Sequence, residues 1–186
     1  MHRTTHIAVL TLFALSPLSQ HFGRASTTVH QPQRVTLLEY STTVPAGWTS
    51  RPATSKMRLA EFVLPSSGEK APEVIVYFFG SGQGGSVDAN LERWKSQFSN
   101  PNGSPVTDVV THENTGTFPL TIAEYRGTYA RGIGMGSAPE AALADHMLIA
   151  VVADTPHGTL FFQLFGPRQA VETRRSTYLA FVRGLK

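Results

Sequence analysis

Residues 74–98, VIVYFFGSGQGGSVDANLERWKSQF, constrain the fold more than any other part of the chain. They read as strand, glycine loop and helix. Residues 74–79 are an unbroken β-branched and aromatic run, which suits a strand covered on both faces. Gly80, Gly82, Gly84 and Gly85 then free the backbone from the steric limits of a Cβ. Ser86 is suited to cap a helix, and Asp88 falls in its first turn, where negative charge favours the helix dipole. Val87, Leu91, Trp94 and Phe98 recur at spacings of four, three and four, so a helix over 86–98 carries one apolar stripe. Asn90, Arg93 and Gln97 form a polar line along its flank.

The glycine loop also matches G-x-G-x-x-G, and Asp108 stands 23 residues beyond Gly85, near where a ribose-binding acid is sought. Three observations weigh against a dinucleotide site. The residues after 100 read as consecutive strands, without the further βα repeats that such a site needs. The helix has Trp94 and Phe98 to bury, so its packing does not depend on a cofactor. Residues 99–105 form a Ser/Asn/Pro/Gly loop, not a tight connection to a parallel neighbour. No Gly-Lys-Ser/Thr follows, which removes a P-loop. A structural strand-to-helix turn is the preferred reading, and no cofactor is expected.

Residues 1–25 predict a secretory signal. His2, Arg3 and His6 precede a short apolar run over 7–15, too short to span a bilayer, and Pro17 breaks it. Gly23 and Ala25 are small residues suited to cleavage after Ala25. An uncleaved membrane anchor is the alternative. The expected mature protein is exported, periplasmic or extracellular, with no stable membrane span. The chain carries 16 Lys+Arg against 13 Asp+Glu, a net charge of +3. Arg3 and Arg24 leave with the signal and no acid does, so 14 basic residues face 13 acidic ones. That balance is a poor basis for nucleic-acid binding, which needs a concentrated basic face. The C-terminal cluster of Arg168, Arg174, Arg175, Arg183 and Lys186 reads as the solvated face of a helix. Cys is absent, which removes disulfides, thiol catalysis and cysteine metal sites.

Residues 26–34 read as a flexible linker, and 35–186 as one domain, large enough for a full core. Strands are expected over 35–40, 56–64, 74–79, 106–112, 118–125, 146–153 and 159–165. A turn over 44–48 delivers Trp48 to the core, and residues 113–116 make a hairpin. Residues 131–140, RGIGMGSAPE, form a long glycine-rich loop, and 141–144 a short helical turn. Gly166 and Pro167 end the last strand and open a helix over 168–184, whose apolar face is Val171, Tyr178, Phe181, Val182 and Leu185. The expected class is α+β, a mostly antiparallel sheet of six or more strands flanked by helices.

The order of these elements, the Val-Pro-x-Gly-Trp turn (Val44, Pro45, Gly47, Trp48) and the Phe165-Gly166-Pro167 entry to the closing helix resemble the PsbP-like family. That family is named for the extrinsic subunit of the photosynthetic water-oxidising complex, and a Ran-binding nuclear import factor shares its fold. The resemblance covers most of 35–186. It implies an α-β-α sandwich used for binding or assembly, generally without catalysis. It supplies no partner, and no residue here matches the manganese- or calcium-binding positions of the plant subunit. The strings Phe78-Phe79-Gly80-x-Gly82-x-Gly84-Gly85-Ser86 and Asn90-x-x-Arg93-Trp94-x-x-Gln97-Phe98 look like those of bacterial exported proteins of unknown role.

Chemistry is sparse. His30, His112, His146 and His157 remain after cleavage, without H-x-H, H-x-x-H or H-E-x-x-H spacing, so no metal site is expected. His146, beside Asp145 at the start of a buried strand, reads as a structural histidine. Ser86 lies between strand and helix, but Asp88 occupies the last position of G-x-S-x-G. The expected function is a non-catalytic binding or assembly module with a protein or small-ligand partner. The alternative is a small hydrolase or a nucleotide- or cofactor-binding enzyme using the strand-to-helix loop of Gly80, Gly82, Gly84, Gly85 and Ser86. The candidate contact residues are Asn90, Arg93 and Gln97 on the helix flank, with Arg131 and Met135 in the long loop. A structural role for Asn90 and Arg93, bracing the glycine loop, is the favoured competing account.

Overall fold

The computed structural model describes residues 33–68, 70–130 and 141–186. The predicted signal, most of the predicted linker, and the candidate residues Arg131 and Met135 lie outside them.

The described residues form ten strands and two helices in the order β1 (Arg34–Leu37), β2 (Tyr40–Thr43), β3 (Thr49–Arg51), β4 (Arg58–Val63), β5 (Glu73–Tyr77), α1 (Val87–Lys95), β6 (Phe98–Ser99), β7 (Val109–Asn114), β8 (Pro119–Tyr129), β9 (Leu143–Thr155), β10 (Gly158–Pro167) and α2 (Arg168–Arg183). β1 and β2 form their own hairpin. The other eight strands make one sheet in the order β3-β4-β5-β10-β9-β8-β6, with β7 also paired to β8, and every pairing is antiparallel. The expected α+β class and antiparallel sheet are therefore what the chain adopts.

The sheet is buried on both faces because its central strands are apolar at successive positions. In β9, Met147, Ile149, Val151 and Ala153 point into the core beneath α2, while Leu148, Ala150 and Val152 point into the core beneath α1. β10 alternates likewise, sending Leu160, Phe162 and Leu164 to the α2 side and Phe161 to the α1 side. The predicted face of α2 is buried throughout: Val171, Tyr178, Phe181, Val182 and Leu185. Burying each large side chain of this kind contributes roughly 1.5–3 kcal/mol. Trp48 reaches the same core through its turn and packs on Phe62 and Phe181, with ring centres 5.7 and 5.1 Å away.

Several boundaries differ from the sequence reading. The expected strand over 35–40 is a hairpin, because Leu38 takes a positive φ of 58° and reverses the chain. Residues 141–144 do not make a helical turn, since β9 already begins at Leu143 and pairs it with Tyr129. Gly166 and Pro167 do not break β10 early; they pair with Met147 and His146. Pro167 has no amide hydrogen to lose from the ladder and still precedes α2 directly. Phe98 leaves the helix and pairs with Tyr129 in β6.

The C-terminal arginines are tied down by ion pairs and hydrogen bonds across the surface. Arg168 meets Asp145 at 2.6 Å, Arg175 meets Glu124 at 2.6 Å and Arg183 meets Glu113 at 2.8 Å. Arg174 donates to the Pro65 carbonyl at 3.0 and 3.2 Å. The guanidinium of Arg183 holds the Glu113 carboxyl below its ordinary range.

Candidate functional site

The glycine loop and α1 build one corner of the α1 face. Ser86 caps the helix: its Oγ accepts from the Ala89 amide at 3.2 Å. Gly84 lies so close to the sheet that a Cβ there would come within 2.6 Å of the Phe161 ring. Gly82 instead faces open space and is needed for its φ of +71°. Asn90 is buried, and its Nδ2 donates to the Gly84 carbonyl at 2.8 Å and the Ser86 carbonyl at 2.9 Å. Its Oδ1 accepts from Arg93 Nη2 at 2.6 Å. Asn90 thus braces the loop, and Arg93 is held in turn by Asn90.

This geometry gives the parts of the glycine fingerprint other uses. Asp108 pairs with Lys95 at 3.1 Å. The chain after α1 joins β6, at the far edge from β5, with antiparallel pairing. A nucleotide-binding βαβ unit needs a parallel neighbour there.

Beside the brace, a cavity of 290 Å³ opens between α1 and the sheet. Tyr77, Phe79, Phe161, Gln163 and Tyr129 line its sheet side, and Arg93, Trp94 and Gln97 its helix side. The rings of Tyr77 and Phe79 are parallel within 4°, with centres 6.0 Å apart. Trp94 stands edge-on to Phe161 at 6.2 Å, and the Arg93 guanidinium lies 5.9 Å from the Trp94 ring centre. The side chains of Gln97 and Gln163 have no hydrogen-bond partner among the described residues. Arg58, which does not line the cavity, lies 5.5 Å from the Tyr77 ring centre and pairs with Glu61 at 3.2 Å.

Of the sequence candidates, the fold brings Arg93 and Gln97 into this cavity and places Asn90 behind them. Gly80, Gly82, Gly84, Gly85 and Ser86 do not line it. Tyr77, Phe79, Tyr129, Phe161 and Gln163 were not singled out from the sequence. Gln163 carried a usable signal, as the polar residue inside the apolar run TLFFQLF. A larger hollow of 500 Å³ lies beside Pro65, Lys70 and the start of α2, but its Arg174 is occupied by the Pro65 carbonyl.

No group of three or more His, Cys, Asp or Glu among the described residues is placed to hold a metal ion. His112 contacts Thr121 Oγ1 at 3.2 Å, His146 the Ala144 carbonyl at 2.8 Å, and His157 Glu39 at 2.9 Å. None meets Ser86. Burial pushes the Tyr125 hydroxyl up to about 12, and it donates to the Leu91 carbonyl at 3.0 Å, tying β8 to α1. No described helix is long and apolar enough to cross a membrane.

No protein-family model and no curated protein matches the chain. Among solved structures, the fold is similar to cyanobacterial PsbP (CyanoP) from Synechocystis sp. PCC 6803, with a TM-score of 0.53 and 13% identity, over 87% of this chain and 95% of that one. A Pseudomonas aeruginosa protein of unknown function aligns over 83% of this chain and 96% of its own length, at 15% identity and a TM-score of 0.48. The chain has a PsbP-like α+β fold, as its sequence motifs implied.

Proposed function

We propose that the chain is an exported, non-catalytic binding module that holds its ligand or partner in the groove between α1 and strands β5 and β10. The observation that carries this reading is the pair of Gln97 and Gln163 carboxamides, without hydrogen-bond partners among the described residues, in one aromatic cavity. Both carboxamides reach solvent, and a ligand that displaces water there can take hydrogen bonds from both. The PsbP-like fold supports it too, since the resemblance implies binding or assembly. Export rests on the signal-like residues 1–25.

A photo-crosslinking residue placed at Gln97, in the protein expressed in its own cell, tests the site. A discrete adduct is expected there, and none from the same residue at Thr173 on the opposite face. Equal labelling at both positions defeats the assignment. The mass of the isolated protein tests export, with a start near Ser26 expected.

A further inference from the structure

We infer that the groove selects a carboxylate joined to a planar ring and an adjacent peptide unit, the chemistry of an N-acylated aromatic amino acid or of an aromatic C-terminal residue. The inference rests on the groove being the binding surface.

Charge is the first argument. Arg93 is the one Lys, Arg, Asp or Glu among the described residues lining the groove. One corner of its guanidinium is fixed on Asn90 Oδ1 at 2.6 Å, and Asn90 is itself fixed by its two bonds to the loop carbonyls. A guanidinium has five N–H donors, so most remain for an incoming carboxylate. No carboxylate among the described residues forms an ion pair with Arg93. The described lining therefore presents one oriented guanidinium with donors left for a ligand.

Shape is the second. The half-buried Phe79 ring, parallel to that of Tyr77, offers apolar surface against which a flat ring packs in offset or edge-on contact. The volume of 290 Å³ suits a ring with a short polar extension and is small for a dinucleotide.

Hydrogen bonding is the third. Each glutamine carboxamide offers a carbonyl acceptor and an amino donor. A peptide unit offers the complementary N–H and C=O. A sugar could also satisfy the two glutamines, but it brings no charge to Arg93.

The test is isothermal titration of the full chain with N-acetyl-L-phenylalaninate, its neutral carboxamide, 3-phenylpropanoate and the peptide Ala-Ala-Ala-Ala-Phe. The acid is expected to bind about tenfold more tightly than the carboxamide, a gap the substitution Arg93→Gln closes. It is also expected to bind more tightly than 3-phenylpropanoate, which lacks the peptide unit, and Gln163→Ala narrows that gap. A tighter pentapeptide identifies a protein C-terminus as the source, and equal binding a free acylated amino acid. Equal binding of acid and carboxamide, or a preference unaffected by Arg93→Gln, overturns the inference. If no probe binds while the adduct at position 97 persists, the ligand class is wrong and the groove stands. If both are absent, the binding surface is wrong as well.

Discussion

Asn90 Nδ2 reaches back along the chain to the Gly84 carbonyl at 2.8 Å, joining the first turns of α1 to the glycine loop that precedes it. The same nitrogen meets the Ser86 carbonyl at 2.9 Å, and the Asn90 side chain is buried. Asn90→Ala removes both bonds and leaves Arg93 without its anchor. The expected cost is roughly 1–3 kcal/mol, read as a lower denaturant midpoint with an unchanged slope. A midpoint within error of the parent would mean that the loop holds its own shape.

Gly84 and Phe161 make a sharper test of the loop. A Cβ on Gly84 would fall 2.6 Å from the ring, so Gly84→Ala forces the ring or the loop to move. The expected destabilisation is roughly 1–3 kcal/mol, the usual range for overpacking. In a Phe161→Leu background the same change should cost less, since the ring atoms it strikes are gone. Gly82→Ala meets no atom and should cost only the backbone penalty, roughly 1–2 kcal/mol. If Gly84→Ala is fully stable in the parent, the close approach of loop and ring is wrong.

Trp94 connects the helix to the sheet, and Trp94→Ala should cost about 3–5 kcal/mol in chemical denaturation. Its spacing from Leu91 and Phe98 was legible in the sequence, as were the polar flank and the structural use of the glycines. Helical period and turn chemistry are local properties, so residues 74–98 could be read without the rest of the chain. The groove could not. Gln163 and Tyr77 come from strands far apart in sequence, and they face Gln97 only because β10 pairs with β5 while α1 packs over them. The hairpin at Leu38 was missed for the opposite reason: a leucine with φ of 58° violates the local preference on which a sequence reading relies. A near-zero cost for Trp94→Ala would contradict the helix orientation that both sequence and structure assign.

Glu61 provides a pH-dependent prediction. Burial raises its pKa, but the Thr54 amide at 2.6 Å, the Thr54 hydroxyl at 2.8 Å and Arg58 at 3.2 Å outweigh that and hold it below the ordinary 4.5. A carboxyl with a depressed folded-state pKa stabilises the fold above its unfolded value and loses that contribution as pH falls through the folded one. Glu61→Gln should therefore be less stable than the parent at neutral pH, because a neutral amide makes weaker bonds to Thr54 and Arg58. The difference should shrink once pH drops below about 4.5, where the parent begins to protonate in its unfolded state. Denaturant midpoints of both proteins across pH 3–7 measure it. Parallel curves over that range would mean that the Glu61 charge is not what secures β4 to residue 54.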